Sequence, residues 1–274
     1  MTENNPRFIP AIKSLLETAA KAILEVYRSD DFSTETKADN SPLTRADTVS
    51  NSIIISGLKT ITPEIPVISE ETCHLPYEER KLFSEVWILD PIDGTREFVS
   101  RNGEFCISLA LIRGTRPVAG FILEPVTGDF WYAVAGNGSY CERNNTKFSL
   151  PSTTRHDKII ITRSRSHHNE LEKEWIEKIE SSFPSEIIIQ GSAIKFCRLA
   201  EGSASVYPKF GAINEWDVAA GDIILEEAGG KIVETESGNL PQYNKPDLKI
   251  PHFIAFASGI SPTSLVLTGK KRRE

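Results

Sequence analysis

Two short segments of the chain combine acidic side chains with small residues. They are Asp90-Pro91-Ile92-Asp93-Gly94-Thr95 and Glu215-Trp216-Asp217-Val218-Ala219-Ala220-Gly221. We expect each where a strand or a loop passes into a helix. Carboxylates at such a junction can hold a hard cation, and the N-terminus of a helix attracts an oxyanion. The two segments together therefore predict a site for phosphate-ester chemistry.

The acids of the first segment follow an apolar run, residues 84–89, that we expect to be a buried strand ending at Asp90. Gly94 permits a sharp turn into the helix that follows. This geometry would let both carboxylates and the Ile92 carbonyl converge. Taken alone, the segment is equally compatible with purely structural roles, in which Asp90 is a turn residue at the strand end and Asp93 is a helix cap.

Two further acids occupy comparable places. Glu70 follows the apolar pair Val67-Ile68, and Asp217 precedes a run of small residues. Asp217 is also a candidate N-cap of a helix. Acids gathered in a dry cleft repel one another unless cations neutralise them. Oxygen ligands suit Mg²⁺ far better than zinc or copper. The pattern thus predicts two or three Mg²⁺ ions that share these carboxylates and grip a phosphate.

The spacing of apolar residues indicates which elements carry these acids. It predicts helices over 8–27 and 45–58, with Thr44 as the N-cap of the second. Strands are predicted over 84–89, 105–112, 117–123, 128–135, 159–161, 187–189, 204–207 and 231–233, and later helices over 169–179, 194–201 and 218–228. Strands that alternate with helices predict a layered α/β fold. We expect two tightly packed halves, 1–155 and 156–274, that share one cleft.

The composition limits the classes of function. The 274 residues are 39% hydrophobic and 25% charged, as in ordinary globular proteins. A net charge of −7 disfavours broad nucleic-acid binding, which needs many basic contacts. The four cysteines form no CxxC pair and no zinc-type spacing, which favours reduced core thiols in a cytoplasmic protein. We expect no signal peptide and no membrane span.

One charge run stands apart, Lys270-Lys271-Arg272-Arg273. We favour a solvated tail. The alternative is a weak peripheral contact with an anionic membrane surface, such as the cytoplasmic face of the inner membrane, since four basic residues supply only marginal binding.

The order and spacing of Glu70-Glu71, Asp90-Pro91-Ile92-Asp93-Gly94-Thr95 and Trp216-Asp217-Val218-Ala219-Ala220-Gly221 resemble the inositol monophosphatase superfamily. Three other segments look like its CysQ-type 3′(2′),5′-bisphosphate nucleotidases: Lys37-Ala38-Asp39-Asn40-Ser41-Pro42-Leu43-Thr44-Arg45-Ala46-Asp47, Arg101-Asn102-Gly103-Glu104-Phe105 and Gly191-Ser192-Ala193-Ile194-Lys195-Phe196-Cys197. The resemblance covers nearly the whole chain and implies alternating α-β-α-β-α layers. It also implies a Mg²⁺-dependent, lithium-sensitive hydrolase of sulfur metabolism that removes the 3′-phosphate of 3′-phosphoadenosine 5′-phosphate and leaves AMP.

The resemblance also implies roles for single residues. The metal ligands it implies are Glu70, Asp90, Asp93, Asp217 and the carbonyl of Ile92. Asp47 and Thr95 would activate the attacking water, although Asp47 alone reads as a charge on an exposed helix face. The implied substrate contacts are Glu70, Ile92, Asp93, Gly94, Thr95, Ser164, His167, Gly191, Ser192, Lys195, Lys209 and Asp217. Lys209 stands where some family members have arginine, and the choice between His167 and His168 stays open.

Other functions remain compatible with the sequence. The first alternative is an inositol-1-monophosphatase or a related sugar phosphatase, which would need the same acids but no second cationic site. A non-catalytic protein that senses a metal or binds a partner is a second alternative. The protein could be a monomer or a homodimer, because the sequence does not choose between them.

Overall fold

The structure is a computed structural model that describes residues 8–29, 35–36, 42–72, 75–152, 157–165, 169–211 and 213–261. Within these residues the helices are α1 (Ile9–Arg28), α2 (Arg45–Ile61), α3 (Tyr77–Arg80), α4 (Thr95–Val99), α5 (Glu170–Ser182), α6 (Ile194–Glu201) and α7 (Ala219–Glu227). The strands are β1 (Glu35–Thr36), β2 (Pro42–Leu43), β3 (Val67–Ser69), β4 (Glu85–Asp93), β5 (Cys106–Arg113), β6 (Arg116–Leu123), β7 (Phe130–Val134), β8 (Ser139–Arg143), β9 (Thr146–Ser149), β10 (Ile159–Arg163), β11 (Ser185–Ile189), β12 (Val206–Lys209), β13 (Ile213–Asn214), β14 (Lys231–Glu234), β15 (Lys249–Ile250) and β16 (Phe253–Phe256).

The first half of the chain builds a seven-stranded sheet in the order β3-β4-β5-β6-β7-β8-β9. β3 and β4 are parallel, and the other neighbours are antiparallel. Helices α1 and α2 cover one face. Ile12, Leu16 and Ile23 recur at helical spacing and are fully buried against Trp87 and Phe121 of the sheet. Burial of this apolar stripe, rather than intrinsic helix propensity, holds α1 in place.

The second half builds a five-stranded sheet in the order β11-β10-β12-β16-β14. β10 is parallel to both β11 and β12, whereas β16 is antiparallel to its neighbours. Helices α6 and α7 lie between the two sheets, because one core cluster joins Phe196 and Ile224 to Ile122 of the first sheet and Phe253 of the second. Helix α5 covers the outer face of the second sheet through Trp175.

These layers confirm the predicted α-β-α-β-α arrangement. Several details of the sequence prediction were wrong. β4 does not end at Asp90 but continues to Asp93, with an irregular register between these two residues. β8, β9 and β16 were not predicted; every residue of β9 is exposed, so this strand has no apolar alternation. No helix in the described ranges has both the length and the apolar character needed to cross a membrane.

The three cysteines that the structure describes, Cys106, Cys141 and Cys197, are buried free thiols, as predicted. Cys73 lies outside the described residues. Three other predicted features also lie outside the described residues: the basic run 270–273, residues 37–41 of the first nucleotidase-like segment, and the histidines His167 and His168. What the sequence predicts for them stays a prediction.

A glycine in β6 sets the distance between α7 and the first sheet. A Cβ on Gly120 would lie 2.4 Å from Ile223 Cγ2 and 2.6 Å from the Ala220 carbonyl oxygen. We expect Gly120→Ala to destabilise the protein by about 1–3 kcal/mol, because extra volume in a packed core forces side chains and backbone to shift. Chemical denaturation would measure this loss. A transition midpoint equal to that of the wild type would contradict such close packing.

Candidate active site

A cleft of about 430 Å³ opens between the end of β4 and the start of helices α4, α6 and α7. Its walls come from both halves of the chain. Among the predicted site residues, those that line it are Glu70, Asp90, Ile92, Asp93, Gly94, Thr95, Ser164, Gly191, Ser192, Lys195, Lys209 and Asp217. Segments that are far apart in the sequence therefore meet at one place, as the sequence analysis predicted.

Three carboxylates form the acidic end of the cleft. One oxygen from each of Glu70, Asp90 and Asp217 lies within 4.8 Å of the others. Burial, followed by the charges of Glu70 and Asp93, raises the pKa of Asp90 well above its usual value. Burial, followed by the charges of Asp93 and Glu70, raises the pKa of Asp217 to about 8. An all-oxygen cluster under such mutual repulsion fits a hard divalent cation, which would relieve it.

Asp93 lies in the same cleft but makes a different contact. Its Oδ2 accepts a hydrogen bond from the Ala193 amide at 2.5 Å, which links β4 to the start of α6. The pKa of Asp93 is raised to about 6 by burial, although the charge of Lys195 opposes the shift. Asp93 is therefore not a helix cap. The residue at the N-cap of α4 is Gly94, in the left-handed conformation with φ = 93°.

The backbone around Gly94 leaves little room. A Cβ there would lie 3.1 Å from the Glu104 carbonyl oxygen and 3.2 Å from Ser192 Cβ. The positive φ and this close approach both favour glycine. The turn directs the Ile92 carbonyl towards the helix start, where it accepts a hydrogen bond from Thr95 Oγ1 at 3.2 Å.

Asp47 and Thr95 lie together beside the acidic end. Thr95 Oγ1 lies 3.4 Å from Asp47 Oδ1 and 3.2 Å from the Ile92 carbonyl oxygen, so the hydroxyl can donate its one proton to either acceptor. The other carboxylate oxygen of Asp47 accepts bonds from the amide and the hydroxyl of Thr44 at 2.7 and 2.6 Å, which closes a capping box at the start of α2. Asp47 is buried. The interpretation of Asp47 as a charge on an exposed helix face was therefore wrong.

A second part of the cleft lining, here called the cationic end, contains the lysines Lys195 and Lys209. Lys195 and Lys209 are both buried, with 5% and 8% exposure. Lys195 Nζ donates to the Ser192 carbonyl at 2.6 Å and lies 5.1 Å from the centre of the Tyr207 ring. Burial lowers the pKa of Lys195, and the charge of Lys209 lowers it further, whereas Asp93 opposes the shift. Two buried cations that line one cleft and repel each other favour binding of an anion there.

Several residues that were not among the predicted site residues also belong to this region, including Tyr207, Arg165 and Glu104. Tyr207 and Arg165 line the cleft, and Glu104 binds both Arg165 and the Gly191 amide from the side. Arg165 follows Ser164, Tyr207 lies two positions before Lys209, and Glu104 belongs to the nucleotidase-like segment 101–105. Their position in the sequence was the one feature that could have identified them. An aromatic residue in a strand and the two members of a surface ion pair have no distinctive spacing.

The raised pKa values predict how pH affects the protein when divalent cations are removed. Folded Asp90 and Asp217 keep protons that the unfolded chain releases near its ordinary carboxyl pKa of about 4. The folded state then binds more protons, so stability falls as pH rises between about 4 and about 8, the pKa of Asp217. We expect the Tm in EDTA to fall by several degrees from pH 5 to pH 8, and Asp217→Asn to reduce this slope. A Tm that rises over this range would contradict the prediction.

Comparison with known proteins gives consistent matches. The sequence profile of the inositol monophosphatase family matches residues 5–258. The 3′(2′),5′-bisphosphate nucleotidase CysQ of Buchnera aphidicola subsp. Acyrthosiphon pisum (strain APS) is 37% identical over 235 residues, which cover 85% of this chain and 87% of that protein. The crystal structure of CysQ from Bacteroides thetaiotaomicron, a bacterial member of the same family, aligns with a TM-score of 0.83 at 34% identity, covering 94% of this chain and 100% of the other.

A more distant structure shares the fold. It is an IMPase/NADP phosphatase complexed with Mg²⁺ and phosphate, which aligns with a TM-score of 0.78 at 22% identity and covers 96% of this chain and 94% of the other. A protein with this architecture therefore holds Mg²⁺ and phosphate together, and the acidic end of the present cleft is compatible with metal binding.

Proposed function

Because the chain belongs to the inositol monophosphatase family, we propose that it is a Mg²⁺-dependent 3′(2′),5′-bisphosphate nucleotidase. The reaction is hydrolysis of the 3′-phosphate of 3′-phosphoadenosine 5′-phosphate to give AMP and phosphate. The observation that carries this proposal is a single cleft lined by three clustered carboxylates and by two buried lysines. Such a cleft can take a substrate with two phosphates, and the similarity to CysQ nucleotidases supports the same substrate class.

We propose that Glu70, Asp90, Asp93, Asp217 and the Ile92 carbonyl hold two or three Mg²⁺ ions. Bound there, Mg²⁺ supplies Lewis-acid polarisation of the phosphate and lowers the pKa of water. Gly94 and Thr95, at the start of α4, line the cleft, and in this proposal their backbone N–H groups add donors for the phosphate oxygens.

Asp47 and Thr95 form the proposed proton relay. In this proposal Thr95 Oγ1 takes a proton from the attacking water while it passes its own proton to Asp47 Oδ1, its hydrogen-bond partner. Because Thr44 binds Oδ2 of Asp47, the carboxylate cannot rotate away and only Oδ1 is available to the relay. The capping box thus has a second use as the support of the general base.

The cationic end is the proposed site of the 5′-phosphate. Ser192, Lys195 and Lys209 bind the phosphate in this proposal, and Lys209 acts as a point charge where arginine would supply a bidentate fork. Ser164, Gly191 and one of the adjacent histidines, His167 in our assignment, contact the nucleoside. Arginine or lysine at position 209 would each satisfy the charge requirement.

The remaining expectations are also proposals. The two halves, 1–155 and 156–274, act as one unit through the shared cleft. We assign the protein to the cytoplasm and expect a monomer or a homodimer that binds no nucleic acid. The basic tail contributes at most a weak peripheral contact with the inner membrane.

The deciding experiment measures phosphate release from 3′-phosphoadenosine 5′-phosphate and from inositol 1-phosphate with Mg²⁺, with and without lithium. We expect a strong, lithium-sensitive preference for the nucleotide. Ser192→Ala should remove that preference and leave turnover of inositol phosphate unchanged. Preference of the wild type for inositol 1-phosphate would replace the nucleotide assignment with the alternative, and turnover of neither ester would refute the proposed activity.

A further inference from the structure

One carboxylate holds two segments of the cleft that belong to the second half of the chain. Glu104 Oε2 accepts a hydrogen bond from the Gly191 amide at 2.9 Å, in the turn of residues 190–193 that carries Ser192, hereafter the Ser192 turn. The same carboxylate accepts from Arg165 Nε at 3.2 Å and from the terminal guanidinium nitrogen at 2.7 Å. Glu104 itself precedes β5 in the first half.

The Ser192 turn fits against residue 104 with little freedom. A Cβ on Gly191 would lie 2.6 Å from the Glu104 carbonyl oxygen and 2.7 Å from Glu97 Cγ, so only glycine allows this approach. Ser192 has φ = 51°, a left-handed conformation that is uncommon for serine. A turn in this conformation needs outside support, and the Glu104 carboxylate supplies one of its hydrogen bonds.

Glu104 is itself well supported. Its amide donates to Asn102 Oδ1 at 2.9 Å, and the Asn102 amide donates to the Glu97 carbonyl at 3.2 Å. The next residue, Phe105, is fully buried in the core under α1 and α2. The carboxylate therefore projects from a fixed backbone. Its hydrogen bond to the Gly191 amide holds the Ser192 turn at a defined place relative to the first sheet.

We propose that Glu104 is a positioning residue that sets the Ser192 turn and Arg165 for the second phosphate of the substrate. The inference rests on the proposed nucleotidase function. A carboxylate beside a phosphate site would repel the substrate. Here the Glu104 carboxylate is hydrogen-bonded to one amide and paired with one guanidinium, which offsets its charge. Glu104 lies outside the set of described residues that line the cleft, so it acts through Ser192 and Arg165 and not on the reacting phosphate.

The kinetic test compares two substrates that differ only in the 5′-phosphate, 3′-phosphoadenosine 5′-phosphate and adenosine 3′-monophosphate. Glu104→Ala should raise KM for the bisphosphate about tenfold, as expected for loss of charge-assisted support, with kcat nearly unchanged. KM for the monophosphate should not change, because the interaction lost is remote from the reacting group. Glu104→Gln, which keeps an acceptor for the Gly191 amide, should fall between Glu104→Ala and the wild type.

Glu85→Ala is the matched control. Glu85 Oε1 accepts two bonds from the Arg113 guanidinium at 3.0 and 2.9 Å, at the opposite end of β4 from the cleft. This variant also loses an ion pair between strands, but both KM values should stay at the wild-type level. Equal losses on both substrates in Glu104→Ala, or a comparable bisphosphate defect in Glu85→Ala, would overturn the proposal.

Hydrogen exchange of the full-length protein separates this inference from the proposed function, because it needs no substrate. In Glu104→Ala the peptide that contains the Ser192 turn should exchange markedly faster than in the wild type, and in Glu85→Ala it should not. Unchanged exchange at the turn would refute the positioning role whatever the enzyme hydrolyses. A wild type that fails to hydrolyse the bisphosphate, with fast exchange in Glu104→Ala, would refute the nucleotidase function while keeping Glu104 as the support of the turn.

Discussion

Asp90→Asn is expected to lower kcat by roughly three orders of magnitude, since it removes a charge from the centre of the acidic cluster that would hold the metal. The Asp90 carboxylate is nearly fully buried and lies within 4.8 Å of Glu70 and Asp217. Asparagine keeps the size of the side chain, so the fold should persist. Phosphate release at saturating Mg²⁺ and substrate measures the effect.

The same substitution should raise the Tm of the metal-free protein, because it removes a carboxyl group whose pKa is raised by burial and, after that, by the charges of Glu70 and Asp93. Asp222→Asn is the matched control. Asp222 is an equally buried acid, but it pairs with Arg116 and Tyr243 away from the cleft. Its loss should lower the Tm while the folded protein keeps its kcat. Substantial turnover by Asp90→Asn at moderate Mg²⁺ would contradict the metal assignment.

Asp47→Asn and Thr95→Ala are each expected to lower kcat about 10²- to 10⁴-fold with little change in KM, because general-base assistance acts in the transition state. Asp47→Asn should also cost about 1 kcal/mol of stability through the weakened helix cap. Initial rates over a range of substrate concentrations, together with denaturation midpoints, would separate the two effects.

The double variant of Asp47 and Thr95 tests whether the two residues act as a unit. Groups that pass one proton between them are non-additive, so the double variant should be no slower than the slower single variant. Losses that multiply would show that the residues act independently. A rise in KM without a fall in kcat would instead place them in substrate binding.

The layers and the acidic cluster were predictable from sequence because each has a local signal. A continuous apolar run marks a buried strand such as β4, and acids at its end are easily read. The partner of each acid was not predictable. Asp93 accepts from Ala193 and Asp47 accepts from Thr44; the second contact is a local capping box, but the first depends on how two halves of the chain dock.

Exposure was equally hard to predict. Asp47 lies on a helix whose pattern suits a surface charge, yet it is buried and contacts Thr95. Glu104 and Arg165 look like a surface ion pair, and only the contact with the Gly191 amide distinguishes Glu104 from the many such pairs of little consequence. The burial of Asp47 and the role of Glu104 depend on tertiary contacts, which cannot be predicted from the local sequence pattern.

The strand order of the second sheet has a consequence for synthesis of the protein on the ribosome. β14 joins this sheet only through β16, which lies between β12 and β14 although it is the last strand that the structure describes. A nascent chain in which Glu70 and Asp90 have already left the ribosome therefore still lacks β16, the strand that completes the layer over α6 and α7. Asp217 and the lysines can therefore take their final places only after β16 has been synthesised and has paired with β12 and β14. We expect that no nascent fragment lacking β16 hydrolyses phosphate esters.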